Sequence, residues 1–477
     1  MLLHKIKIPQ GRIAGIALMA LILVTGSGCK KYLTLPLPVD RVTNGSVFAN
    51  DQLTAGVLNN VYYTLQLSGN LEGQTSLGMN AGLYTDDLQT LSNSSAVAKS
   101  FYANIITGTN GGGTLWSNLY VEIYTANTVI EGMKGSTLPY KDQWLGEAYF
   151  VRALCYYYLV NVYGDVALVL SSDYKSNNTL SRVPASQVYP QMVADLKQAQ
   201  TLLSADYLDF NGNVVSDKAR PNKAAATALL ARVYLYQGDW VNSEAQASAV
   251  IGNTAYAMET LPNVFLISGK EVIWGLLPTS GLSYAVPEAK TYIITPGANP
   301  IASGALALIS PQLLGSFEAN DARYANWVGI STTAGVTSYF VNKYKIKAGS
   351  APAETYAVLR LAEQYLIRAE ARAKQNNLLG SIVDLNVIRS RAGLPATTAA
   401  SQADLLNAVL QERRIELFAE AGHRFFDLKR TGNIDAVMGV VSPQKNSKWA
   451  SYMQYWPIAT TETINDPNLK QTPGYQQ

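Results

Sequence analysis

Asn222-Lys223-Ala224-Ala225-Ala226-Thr227-Ala228-Leu229-Leu230-Ala231-Arg232-Val233-Tyr234-Leu235-Tyr236-Gln237-Gly238-Asp239-Trp240 is the stretch whose reading decides the architecture. Ala226, Leu229, Val233 and Tyr236 recur at spacings of three and four, so they share one face of a helix over residues 222–237. Gly238-Asp239 breaks that pattern, Trp240 restarts it, and residues 245–251 continue as a second helix. The unit is a helix, a tight turn and a helix. The same grammar returns over residues 356–374, the turn Gln375-Asn376-Asn377 and residues 379–392. Residues 143–163 add a further helix, with Leu145, Ala148, Val151, Cys155, Tyr158 and Val162 on one face.

Between these helices the texture changes. Residues 65–113 are rich in Gly, Ser, Asn and Thr and end in Thr109-Asn110-Gly111-Gly112-Gly113, while residues 261–312 and 329–350 are loop-like with short β-branched runs. Segments of this length without helical period are functional or disordered. Because each carries aromatics, which disordered linkers lack, ordered binding loops on a helical scaffold are expected. The hairpins, built from small alanines and large aromatics, resemble tetratricopeptide units, without a clean repeat of about 34 residues.

The chain opens with basic residues (Lys5, Lys7, Arg12), an apolar run from Ile13 to Val24, and the small residues Gly26, Ser27 and Gly28 before Cys29. That run falls short of the roughly 20 residues of a permanent membrane helix but matches the apolar region of an export signal. Cleavage before Cys29 and acylation of its thiol and new amino group are expected, anchoring the mature chain to a membrane. Pro36 and Pro38 make the following segment an extended tether. Removing those three basic residues from the 37 Lys and Arg leaves 34, equal to the 34 Asp and Glu, so no positive field for nucleic acid remains.

Cys29 aside, Cys155 has no partner for a disulfide and reads as a small buried hydrophobe, and past residue 29 the only histidine is His423. A zinc site of the usual type or a Ser-His-Asp triad would have to be built around that one imidazole. Glu412, Glu416 and Glu420 recur every four residues, a spacing that invites a glycoside-hydrolase reading. The neighbouring Arg413, Arg414, Arg424, Lys429 and Arg430 assign them instead to ion-paired helix surface or repeat-interface charge. Arg152 with Glu147, and Arg389 and Arg391 near Asp384, are assigned to scaffold in the same way.

Several blocks carry a family resemblance: Leu115-Trp116-Ser117-Asn118-Leu119-Tyr120, Gly146-Glu147-Ala148-Tyr149-Phe150-Val151-Arg152-Ala153, Val162-Tyr163-Gly164-Asp165-Val166, Leu385-Asn386-Val387-Ile388-Arg389-Ser390-Arg391-Ala392-Gly393-Leu394 and Gly422-His423-Arg424-Phe425-Phe426-Asp427-Leu428-Lys429-Arg430. With the hairpins and the ending Asn465-Asp466-Pro467-Asn468-Leu469, their order is similar to that of SusD/RagB outer-membrane nutrient-binding lipoproteins. The chain departs from that pattern at Ala459, where a second proline is usual, and at Ala421, inserted between Glu420 and Gly422. The resemblance implies a mostly α, SusD-like fold with four tetratricopeptide-like helix pairs, long irregular ligand-binding loops and a few short strands. It implies a signal over residues 1–28 and a single domain over 29–477, with an N-terminal part to residue 215 and a C-terminal part from 216. It also implies a surface-exposed lid over a SusC-like TonB-dependent transporter.

Binding is better supported than catalysis. Tyrosine, present 29 times, offers a rigid apolar face and a hydroxyl at low entropic cost. Sugar C–H faces can lie on such platforms. The candidate ligand contacts are Tyr84, Asp86, Asp87 and Tyr102 in the first irregular segment, Tyr284 and Tyr292 in the second, and Trp327 just before the third. Trp116 and Trp240, on helices, read as core. The expected activity is non-catalytic capture of an oligosaccharide without a cofactor; a bound calcium ion stays open, although no EF-hand-like ligand spacing is present. The alternatives are a lipid-anchored glycan-degrading enzyme, a peptide-binding protein and a pure protein-binding scaffold.

Overall fold

A computed structural model describes residues 47–67 and 69–476, so the lipidation residue Cys29, the signal and the tether lie outside the described residues. Eight helices in series form the scaffold: α1 (Thr114–Gly132), α2 (Lys141–Tyr163), α3 (Ala185–Leu202), α4 (Lys223–Gln237), α5 (Trp240–Ile251), α6 (Leu361–Lys374), α7 (Leu378–Arg391) and α8 (Gln402–Leu417). Each packs on the next, which gives four successive pairs and a mostly α fold. The strands are short and form two-stranded sheets.

The α4–α5 hairpin follows directly from its residues. Asn222 caps α4 by accepting the Ala225 amide at 3.0 Å, Gly238 takes the left-handed conformation that ends the helix, and Asp239 caps α5 by accepting the Asn242 amide at 3.2 Å. The second hairpin starts later than expected. Tyr356–Arg360 is a fully buried strand paired with Val272–Leu276, and the helix begins at Leu361. A short apolar run reads equally as a buried strand or a buried helix turn, and here the partner strand decides. The helix α2 is buried on nearly all sides because α1 and α3 pack against it, with Cys155 inaccessible in its middle. Trp116 is buried and Trp240 half-buried.

The irregular segments hold more structure than expected. The first contains the helices Leu77–Tyr84 and Ala96–Tyr102, and the third is the hairpin Val328–Thr333/Val336–Val341, closed by the left-handed pair Ala334-Gly335. The Gly111-Gly112-Gly113 run is a packing surface. A Cβ on Gly113 would lie 2.2 Å from the Ala459 backbone nitrogen and one on Gly112 2.7 Å from Pro457.

The acids expected at the helix surface are buried. Glu412 and Glu416 lie on α8, while Glu420 follows its end, and all three enter one network. Arg323 pairs with Asp321, Glu412 and Glu416; Arg360 with Glu271, Glu416 and Glu420; Arg391 with Glu271 and Glu416; Arg389 with Glu412 and Glu318; and Lys343 with Glu420. This is charge between repeats, joining α7, α8 and the strand that leads into α6. Two expected pairings are also replaced: Arg152 binds Asp195 while Glu147 binds Arg220, and Asp384 binds Arg368 and Arg372. Local sequence spacing suggested the partners; the packing of successive helices supplies others.

Candidate functional site

Tyr84 closes the helix Leu77–Tyr84, where Phe101, Phe425, Trp449 and Trp456 surround its ring edge-on and its hydroxyl donates to the Met453 carbonyl at 2.9 Å. It is fully buried, and burial holds its hydroxyl well above the usual tyrosine range. Asp86 and Asp87 follow it into the interior. Arg424 donates two hydrogen bonds of 2.8 Å to Asp86, and Arg414 bridges both acids. Burial alone would raise Asp86, yet the Arg424 and Arg414 guanidinium groups hold it below the ordinary carboxylate range. Lys445 completes this cluster, donating to the carbonyls of Leu83 and Thr85.

Trp327 is buried as well. Its indole donates to the Leu261 carbonyl at 3.2 Å, and its ring covers three cations of the network: Lys343 at 4.8 Å, Arg391 at 5.8 Å and Arg360 at 6.0 Å. Tyr292 is 1 % exposed on the helix Pro287–Tyr292. Tyr84, Asp86, Asp87, Tyr292 and Trp327 are thus removed from direct ligand contact in this conformation, since a side chain without exposed surface has nothing to offer a ligand. In sequence they resembled loop residues; in the fold they tie loops to the core.

Tyr102 and Tyr284 keep exposed surface. Tyr102 is half-buried, with the Lys445 ammonium 4.9 Å from its ring centre. Tyr284 is half-buried on a turn where it and Ser283 both have left-handed backbones, at φ of 51° and 58°. Two such non-glycine residues in a row store strain, of the sort that concentrates at ligand sites. The residues that flank this turn, Leu282 and Ala285, line a cleft of about 180 Å³ together with Pro287, Lys290, Thr291, Gln66, Leu67, Gly73 and Gln74. Tyr63, half-buried, stands beside it, its hydroxyl 3.5 Å from where a Cβ on Gly281 would lie. Gln66, Gln74, Lys290 and Tyr63 were missed in the sequence. Their signal was the glycine-rich turn of residues 69–73, legible only as loop.

The cleft joins apolar wall to amide and ammonium groups, the mixture that orients a polar ligand with apolar faces. Glu412, Glu416 and Glu420, whose spacing invited a hydrolase reading, are already engaged by arginines. Arg391, Arg360 and Arg323 outweigh the burial of Glu416 and hold it well below the ordinary range. Burial, with Arg232 and Arg413 nearby, keeps His423 neutral, and burial pushes the Cys155 thiol up. Among the described residues no group of three or more His, Cys, Asp or Glu side chains is arranged to hold a metal, and no helix is long and apolar enough to cross a membrane.

Residues 51–235 match the family model described as starch-binding, associating with the outer membrane, and residues 315–475 match the SusD family model. A SusD-like protein of Formosa agariphila is 28% identical, over 78% of this chain and 83% of the relative, and one of Bacteroides ovatus is 24% identical over 64% and 63%. Surface glycan-binding protein A from Bacteroides uniformis superposes with a TM-score of 0.75 at 20% identity, covering 89% of this chain and 99% of its own. A laminarin-binding SusD-like protein superposes with a TM-score of 0.72 at 23% identity and the same coverage. The chain belongs to the SusD/RagB family of non-catalytic binding proteins, a family associated with the outer membrane.

Proposed function

We propose that this protein is a cell-surface lipoprotein that captures a glycan and passes it to a SusC-like TonB-dependent transporter. The supporting observation is the cleft between residues 66–74 and 282–291, with Tyr63 and the strained Tyr284 beside it. A sugar ring stacks on the tyrosine faces while Gln74 and Lys290 hydrogen-bond its hydroxyls. Two relatives of the same fold are described as a surface glycan-binding protein and a laminarin-binding protein, which favours an oligosaccharide. Tyr102, half-buried beside Lys445, offers a separate contact away from that cleft's lining.

Cleavage after residue 28 leaves residues 29–477 as a single domain, its two parts meeting near residue 215, with lipid on Cys29. The anchor holds the cleft at the membrane surface, where capture raises the ligand concentration at the transporter mouth and makes the second encounter effectively intramolecular.

Electrophoresis of the mature chain through gels containing laminarin, starch or xylan tests the capture step. Migration retarded by one glycan, without new reducing ends, supports the proposal; release of reducing ends shows an enzyme, and retention by peptide pools alone shows a peptide receptor. Labelling with palmitate tests the anchor, since an unlabelled mature protein removes it.

A further inference from the structure

The turn that follows the helix Asp51–Thr64 and the helix Pro287–Tyr292 meet around two carboxyl groups that no lysine or arginine neutralises. Glu72 is fully buried, and neither of its oxygens has a hydrogen-bond partner. Glu288 is 2% exposed; its Oε1 accepts the Gly73 amide at 3.0 Å, and its Oε2 is unpartnered. That bond seats the Glu288 carboxyl against the residue next to Glu72. The contrast with the interior acids Glu271, Glu412, Glu416 and Glu420 is sharp, because each of those is paired with arginine.

The neighbouring amides each use an N–H and keep their acceptor. Gln66 donates to the Tyr62 carbonyl at 3.1 Å, Asn70 to that of Thr64 at 2.7 Å and Asn80 to that of Thr75 at 2.9 Å. The side-chain oxygen of each is buried without a partner, as is the hydroxyl of Tyr292, one turn beyond Glu288. Gln66 lines the cleft together with Gly73 and Thr291, which places it beside the two carboxyls. Buried oxygens left without a partner are costly. One shared proton satisfies a single pair of them. A hard cation, which takes six to eight oxygens from carboxylates, amides, backbone and water, satisfies the set.

We propose that Glu72 and Glu288 bind a divalent cation of the calcium type, with the unpartnered oxygens of Gln66 and Asn70, on the same turn as Glu72, available to its all-oxygen shell. Burial, reinforced by Glu288, raises Glu72 well above the ordinary range, and burial brings Glu288 up to about 8, so an unliganded pair resists ionisation and the cation must displace protons. The ion ties residues 66–74 to residues 287–291, the two walls of the cleft, and so fixes its width. This assignment stands whatever the cleft binds.

The test uses the mature chain stripped with EDTA. Calcium at a hundredfold excess over its dissociation constant should raise Tm by about 3 °C at pH 7.5. Glu72→Gln and Glu288→Gln should abolish the rise. Tyrosine-sensitised terbium luminescence, displaced by calcium, reads the same site in the wild type without any variant. A wild type whose Tm ignores calcium, or a folded variant that keeps the shift, overturns the proposal. If neither variant folds, absence of calcium-displaceable terbium luminescence overturns it.

Discussion

Glu416 is the acid on which three arginines converge, so Glu416→Gln is the most informative perturbation of the scaffold. Arg360 reaches its Oε1 at 2.5 Å, Arg323 its Oε2 at 3.2 Å, and Arg391 donates to Oε1 as well. All four side chains are at most 9% exposed. Removing one partner from a buried ion pair costs about 3–5 kcal/mol, because the charge left behind stays desolvated. For a unit of about 430 residues, with an unfolding entropy of about 2.1 cal/mol/K per residue, that loss lowers Tm by roughly 3–6 °C. Glu318→Gln is the control: Glu318 also pairs with this network, through Arg389, but its side chain is 45% exposed, and it should cost under about 1 kcal/mol. The pH dependence follows from the same geometry. The folded pKa of Glu416 lies below its unfolded value, so its contribution is present above about pH 4.5 and is lost as pH falls through the folded value. Wild type should therefore lose more stability than Glu416→Gln on acidification below about pH 4.5. Urea titration followed by tryptophan fluorescence measures both effects, and equal stability of the two variants would refute the reasoning.

Tyr84→Phe deletes a single buried hydrogen bond to the Met453 carbonyl, so it should destabilise by about 1 kcal/mol in urea titration and leave glycan retardation unchanged. Tyr284→Gly relieves a left-handed backbone, and should gain about 1 kcal/mol of stability while weakening glycan binding at least about tenfold by calorimetry. Burial raises Tyr62, Tyr84, Tyr157, Tyr344 and Tyr356 well above 10 in the fold, whereas the unfolded chain ionises near 10, so stability falls as pH rises past that value. Tyrosinate absorbance of these groups should then appear in one step together with unfolding.

Helical period made the scaffold legible. The repeated small and aromatic positions of α4, with Asn222 before it and Gly238 after it, specify helix, cap and stop locally. The strand Tyr356–Arg360 was not legible, because its identity comes from Val272–Leu276, about 80 residues away. The site was harder still. Asp86 and Asp87 looked free until Arg414 and Arg424, more than 320 residues later, were found on them. Trp327 looked like a platform until three cations from other segments filled its face. Tyr284 was found among the irregular residues, but the cleft beside it is completed by residues 66–74, which only the fold brings to it.

Hydrogen exchange of the mature chain with and without its glycan tests the central claim most directly. Protection confined to residues 63–76 and 279–292, with the α4–α8 scaffold unchanged, is the predicted result. Protection along α4–α8 with none at those two segments would contradict the account.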